Sequence, residues 1–399
     1  MSLTLSNCCM NISPSMTLTI DSRAKEMKAH GMDVIGFGAG EPDFPTPKHI
    51  CDAAKEAIDL GMTRYTPVSG TMELRKAICR KMERDHNLTY APQDILVSNG
   101  GKQALFIVFQ TILNPGDEVL IPTPCWVSYP EMVRMAGGIP VMIPSDESTG
   151  FIPTERDIAS RVTRRTKAII VNSPSNPNGA VWPLDRLQFV AALAESHPFF
   201  VVSDEIYEKL IYDGHQHISI ASLGEQIKSQ TFVINGVSKT YAMTGWRIGY
   251  CAAQRNLTSA MVAYQSQATS NANAIAQHAA TAALDGDHAC IDEMVAEYDR
   301  RRHIMADAIN AIPGISCTMP QGAFYIMMNI KSILGKKYNG RVIEGSMDFA
   351  ELLLAEKQVA LVPGIAFEAE GFCRLSYAVS AEKIQEGLRR VADFVTSLY

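Results

Sequence analysis

Seven short apolar runs, separated by longer stretches with helical periodicity, restrict this chain to few architectures. The runs are Ile95–Ser98, Glu118–Ile121, Pro140–Ile143, Ala168–Asn172, Phe199–Ser203, Phe232–Asn235 and Ile248–Ala252. Near-continuous Val/Ile/Phe segments of this length suit strands covered on both faces, as in a mostly parallel sheet between helix layers. Gln103–Leu113, Leu184–Ser196 and Ser259–Leu284 carry helical patterns. The expected class is therefore α/β, with a seven-stranded, mostly parallel sheet. Ligands of open α/β sheets bind at the carboxyl ends of the strands. Gly100, Gly101, Asn176, Asp204 and Lys239 all fall at such ends.

Beyond about Tyr298 the pattern changes. A helical segment rich in arginine, Asp299–Ile312, leads to a Gly-Ala-Phe-Tyr strand at 322–325. Helices over Ser346–Lys357 and Ala381–Leu398 then flank short strands at Val359–Val362 and Cys373–Tyr377. At 399 residues the chain exceeds one compact core. The expected division is a large domain over 45–298 and a smaller α+β domain from 1–44 and 299–399.

Composition removes several function classes. A net charge of −6, from 36 basic and 42 acidic residues, comes without any Lys/Arg block, which argues against a nucleic-acid partner. Nine scattered cysteines (Cys8, Cys9, Cys51, Cys79, Cys125, Cys251, Cys290, Cys317, Cys373) contain no C-x-x-C pair. They read as reduced thiols of a cytoplasmic protein rather than a disulfide framework or zinc site, and no metal is expected. The opening MSLTLSNCCM lacks the charged and apolar regions of an export signal. No stretch approaches the ~20 apolar residues of a membrane span.

The segment with most chemistry is Gly236-Val-Ser-Lys-Thr-Tyr-Ala-Met-Thr-Gly-Trp-Arg-Ile-Gly249. Small residues surround one lysine, Lys239, and let a bulky ligand approach the backbone. A desolvated lysine beside another cation has a lowered pKa and acts as an amine nucleophile toward carbonyls. Arg247, eight positions later, offers a planar fork suited to phosphate. An isolated lysine is most often a solvated surface group; the aromatic and glycine surroundings argue against that here.

This run resembles the attachment signature of class I pyridoxal-phosphate (PLP) aminotransferases, of fold-type I. The resemblance extends from about residue 14 to the C-terminus. It implies that Lys239 holds PLP as a Schiff base and later moves the proton between the substrate Cα and the cofactor C4′. It implies that Ser238 and Arg247 bind the cofactor phosphate, together with the helix start at Gly100-Gly101-Lys102, where free N–H groups make an anion site.

Other pieces have both a plain and a functional reading. Asp204 closes an apolar strand; a helix N-cap is the plain reading, because Asp favours that position. The family instead sets this carboxylate against the pyridinium nitrogen, which answers the cost of burying it. Asn176, in Asn172-Ser-Pro-Ser-Asn-Pro-Asn-Gly179, fits ordinary turn chemistry. By resemblance it and Tyr207 meet the phenolic oxygen of the cofactor. Trp126 is either a core tryptophan or the aromatic that stacks on the ring. Tyr65 matches a tyrosine reaching the phosphate of the neighbouring subunit, which implies a homodimer.

For the substrate, Gly40 is expected to line its side of the site through the backbone. Arg374 is expected to pair with its α-carboxylate, although an exposed salt bridge would also explain an arginine there. The stretches 38–43 and 100–106 most resemble the bacterial subgroup of aspartate aminotransferases. That subgroup meets the distal carboxylate with a lysine matching Lys102 and a threonine matching Thr17. Lys102 would otherwise be a solvated lysine at a helix start. The resemblance thus implies ping-pong amino transfer from aspartate, or a similar amino acid, to 2-oxoglutarate. Prephenate, aromatic or alanine amination is the alternative, and a carbon–sulfur β-lyase a more distant one. Ser13 stands where prephenate-active relatives often carry a lysine, which counts against prephenate.

Overall fold

The computed structural model describes residues 5–10 and 12–399. Its central sheet contains β1 (Ile95–Ser98), β2 (Glu118–Thr123), β3 (Ile139–Pro144), β4 (Thr166–Asn172), β5 (Phe200–Asp204), β6 (Thr231–Gly236) and β7 (Gly249–Ala252). The spatial order is β1-β7-β6-β5-β4-β2-β3. All pairings are parallel except that β7 runs antiparallel to both of its neighbours.

Alternation along each strand explains why the runs are apolar throughout. Val119, Ile121 and Ile170 pack with Ala104, Leu105 and Val108 of the helix Gly101–Ile112. Their neighbours Leu120, Ile169 and Val171 point to the other face, against Leu187 and Val190 of the helix Leu184–Ser196. With both faces covered, neither set of side chains can be polar. The register places Asn172 beside Asp204 at the carboxyl edge.

A second, antiparallel sheet joins Val362–Pro363, Phe372–Ser376, Tyr325–Asn329 and Ser316–Cys317. Its core includes residues of the helices Ala289–Asn310 and Ala381–Thr396. The N-terminal segment joins this part of the molecule, because Ile35–Gly36 pairs in parallel with Val359–Ala360.

Four elements depart from the sequence expectation, the first being the strand expected at Val359–Val362, which divides into Val359–Ala360 and Val362–Pro363 in two different sheets. The helix expected over Ser259–Leu284 is two, Arg255–Ala268 and Ala274–Asp285. Between them Ser270 turns left-handed at φ 62°, and the Asn273 side chain accepts from the Ala276 N–H at 2.9 Å, starting a new helix. The arginine-rich segment belongs to a helix that already begins at Ala289. The strand expected at 322–325 starts at Tyr325, because Ala323 is left-handed at φ 58°.

Cys9, Cys51, Cys79, Cys125, Cys251, Cys290, Cys317 and Cys373 are all free thiols; the side chain of Cys8, and residues 1–4 of the opening segment, lie outside what is described. No helix of the described residues is long and apolar enough to cross a membrane.

Candidate active site

A cavity of about 500 Å³ opens at the carboxyl edge of the central sheet. Lys239, Asp204, Asn176, Tyr207, Ser238, Arg247, Trp126, Gly101, Lys102, Gly40, Arg374 and Thr17 all line it. Gly100 lies behind, against Arg247. Tyr65 stands apart, 93% exposed.

Asp204 ends β5 and is buried. Its Oδ2 accepts from the Tyr129 hydroxyl at 2.6 Å and its Oδ1 from the Ile206 N–H at 3.3 Å. Burial dominates these bonds and pushes its carboxyl up to about 6. Such a group accommodates a cationic partner, and a protonated ring nitrogen fits it. Tyr129 is a partner that residue type and spacing do not single out; it stands in the first turn of the helix Ser128–Met135, with its N–H on the Trp126 carbonyl at 3.0 Å. The two rings meet edge to face at 5.3 Å.

Lys239 follows β6. Its Nζ donates to the Gly40 carbonyl and lies 5.8 Å from the ring centres of Tyr207 and Phe324. Desolvation is the main cause that lowers its pKa, to about 8. Arg247 and Arg374 add to the effect, while Glu41 and Asp204 oppose it. About a tenth of the amine is then neutral at pH 7, against well under a thousandth for an ordinary lysine, as a carbonyl-directed nucleophile requires.

Around Arg247 the chain builds an anion cradle. Its Nη1 donates to the Thr244 carbonyl at 2.8 Å and its Nη2 to the Asn99 carbonyl at 3.3 Å. Gly100 adopts φ +82°, and a Cβ there would lie 2.2 Å from Arg247 Nη2. Only glycine allows this approach. The helix beginning at Gly101 has no side-chain cap, so its first N–H groups face the cradle as donors for an anion. A phosphate, a ring nitrogen and a carbonyl each have a complementary group here, so the residues fit PLP.

Tyr207 Oη lies 2.8 Å from Tyr325 Oη, a second partner that the sequence reading missed. Asn176 is held through its N–H to Asn172 Oδ1 at 2.9 Å. Asn172 Nδ2 in turn donates to the Asp204 carbonyl at 2.9 Å. Arg374 is buried and packs over Tyr325 at 4.4 Å and Phe367 at 4.9 Å. It donates to Asn176 Oδ1 at 3.0 Å and to the Gly38 carbonyl at 2.7 Å. Its Nε has no partner among the described residues. The exposed salt bridge is therefore not its role, and burial lowers its pKa.

Lys102 is exposed at the residue level but lies 4.9 Å from the Trp126 ring centre at the cavity. Partial desolvation, then Arg247, lowers its pKa. Thr17 shares a hydroxyl hydrogen bond of 2.9 Å with Ser15.

Comparison with known proteins agrees with this geometry. The family model for aminotransferase class I and II matches residues 32–391. An aspartate aminotransferase of Bacillus sp. (strain YM-2) is 45% identical over 98% of this chain and 99% of its own length. An aspartate/prephenate aminotransferase of Nitrosomonas europaea is 42% identical over 96% of this chain and 98% of its own. Among solved structures, the aspartate aminotransferase of Rhizobium meliloti superposes with a TM-score of 0.96 at 41% identity, covering 100% of both chains. That of Thermus thermophilus with maleate gives 0.93 at 41% identity, covering 98% of this chain and 100% of the other. With a lowered-pKa lysine, a buried carboxyl and an anion cradle converging on one cavity, the chain belongs to the class I and II aminotransferases, which depend on PLP.

Proposed function

We propose that this aminotransferase moves the amino group of aspartate to 2-oxoglutarate in two half-reactions at one site. The observation that carries the reading is the pairing of two anion anchors on one cavity: buried Arg374 from the second sheet, and Lys102 with Thr17 from elsewhere in the chain. Such a pair suits an α-carboxylate and a distal carboxylate. The Thermus relative carries maleate, itself a dicarboxylate.

The site residues take the following parts. Lys239 would be the attachment point, and its Nζ, when free, would take the proton from the substrate Cα and deliver it to the cofactor C4′. When bound, PLP supplies an electron sink for the charge left at Cα. Asp204 holds the ring nitrogen in its protonated form, braced by Tyr129. Tyr207 and Asn176 hold the phenolic oxygen, and Trp126 stacks on the ring. Ser238, Arg247 and the N–H groups of Gly101 and Lys102 would hold the phosphate, with Gly100 giving Arg247 its room beneath it. Gly40 lines the substrate side through its backbone.

Tyr65 completes the site of a second copy, so the working unit is a homodimer. Its 93% exposure in the single chain leaves its ring and hydroxyl free to reach a second copy, as this reading requires. Sedimentation of wild type tests it: a monomer at working concentration would overturn it. A cytoplasmic location fits the free thiols. The domains divide as 45–298 and 1–44 with 299–399; three buried cores lie wholly within 45–298, while the core of the smaller part also takes in Tyr207, Leu210 and Tyr212.

An amino-donor panel with 2-oxoglutarate, run on wild type and Lys102→Ala, tests the substrate. Aspartate is expected to lead, with its KM raised by the substitution. Aspartate turnover unaffected by Lys102→Ala would overturn the distal anchor. Preferred turnover of prephenate, or pyruvate release from a cysteine conjugate, would redirect the assignment.

A further inference from the structure

Behind the strand that carries Asp204, four metal-ligating side chains converge away from the cavity. His86 ends the helix Met72–His86, Glu205 and Glu208 follow β5, and His217 lies in the loop beyond. One ligand atom from each lies within 4.8 Å of all the others. The side chains are 0–5% exposed.

The bonds within this cluster leave donor atoms over. Glu205 Oε1 accepts from the hydroxyls of Ser203 and Ser219 at 2.8 and 2.7 Å. Its Oε2 lies 3.0 Å from His217 Nε2, but the geometry makes no hydrogen bond, and neither ring nitrogen of His217 has a partner among the described residues. His86 Nε2 lies 2.5 Å from Glu208 Oε2. A buried carboxylate oxygen and a buried imidazole without hydrogen bonds are costly. We infer that His86, His217, Glu205 and Glu208 form a binding site for a divalent transition-metal ion of the zinc class.

Two imidazole nitrogens and two carboxylate oxygens are a borderline donor set suited to such an ion. Bonds near 2.0–2.2 Å place tetrahedral donors about 3.4 Å apart. The close pairs, at 2.5 and 3.0 Å, must open by under an ångström, and the wider ones, which reach at most 4.8 Å, close by no more than about 1.4 Å. All four positions are protein donors, so the ion is structural rather than catalytic. It ties the end of the helix Met72–His86 to the segment holding Asp204 and Tyr207.

Lys81 is the competitor. Its ammonium donates to Glu208 Oε1 and lies 2.9 Å from His86 Nε2 and 3.7 Å from Asp85 Oδ2. The ion takes the His86 lone pair from it and leaves it on Glu208 and Asp85. With neutral imidazoles, Glu205 and Glu208 face the one ammonium of Lys81, while Asp85 is matched by Arg84 and Lys209 at its outer side; the negative charge nearest the ion is that of the two glutamates.

The test is equilibrium dialysis of PLP-loaded protein against Zn²⁺, counting ions per chain and measuring Tm. Wild type is expected to hold one more ion than His86→Asn/His217→Gln, with a Tm rise that the double variant lacks. Lys81→Met is expected to bind Zn²⁺ about tenfold tighter or more, since a buried like charge is removed. Equal ion counts in wild type and the double variant, meaning binding at thiols or elsewhere only, overturn the proposal. If the double variant does not fold, Lys81→Met decides: unchanged or weaker binding, or failure to fold with Zn²⁺ present, overturns it.

Discussion

Arg374 Nη1 donates to Asn176 Oδ1 at 3.0 Å, both residues buried. The bond joins a strand of the second sheet to the turn that follows β4. The guanidinium that is to receive a carboxylate and the amide assigned to the cofactor therefore share one geometry. Substrate binding at the first should be felt at the second.

Arg374→Lys is accordingly expected to lower kcat/KM for aspartate by about 10²-fold or more, in line with ~2–5 kcal/mol for truncating a buried hydrogen-bonded charge. An ammonium cannot reproduce the planar fork or its stacking over Tyr325. Steady-state kinetics checks this, and a change under threefold would count against the anchor.

Asp204 gives a pH-dependent stability in the cofactor-free chain. Its folded pKa, about 6, lies above the ~3.9 of an unfolded carboxyl. Between these values the folded chain binds the extra proton, so this group's contribution to stability falls as pH rises from about 4 to 6. Cofactor-free Asp204→Asn is expected to be more stable than wild type at pH 7 by about 1–3 kcal/mol. Urea unfolding at pH 4 should show the difference gone. The same variant loaded with PLP should lose most activity.

Lys239 in the cofactor-free chain should react with an acylating reagent along a titration centred at about 8, the rate rising with pH as the amine loses its proton. Arg247→Met moves that midpoint upward, because a neighbouring cation that disfavours the ammonium is gone. Peptide mapping of the labelled lysine across pH 6–11 is the measurement. A midpoint near 10.5, the ordinary lysine value, would show that the site is not desolvated.

Gly100→Ala tests the cradle. The backbone at φ 82°, ψ 162° is one that essentially only glycine adopts and alone costs about 1–3 kcal/mol, and the new methyl must displace the Arg247 guanidinium. The expected result is PLP affinity weakened by about tenfold or more, about 1.4 kcal/mol per decade, read by fluorescence titration. Gly245→Ala, where a Cβ meets open space, is the control.

Much of the fold was legible because both faces of the central sheet are covered. Strands such as β4 therefore appear as unbroken apolar runs, and the sequence separates them without knowing their partners. The break at Thr269–Asn273 is carried by a polar run, Thr-Ser-Asn-Ala-Asn, too short to interrupt the helical pattern on either side; the left-handed Ser270 and the Asn273 cap divide the helix there. Lys239, Asp204, Asn176 and Arg374 stood out through residue type and local spacing. Tyr129 and Tyr325 did not, because a tyrosine in an apolar run has the same appearance whether its hydroxyl meets a carboxyl or water.

The sequence by itself determined the α/β class, the family and the set of reactive side chains, since strand periodicity and the run from 236 to 249 are local properties. Tertiary structure decided which of those side chains are changed by their surroundings. Lys239 has a pKa of about 8 and Asp204 of about 6 because residues from distant parts of the chain exclude water from both. Desolvation is a property of the assembled cavity, and no spacing along the chain encodes it directly. The same holds for His86 and His217, which stand 131 positions apart (217 − 86) in the sequence, with ring centres 5.3 Å apart in the fold.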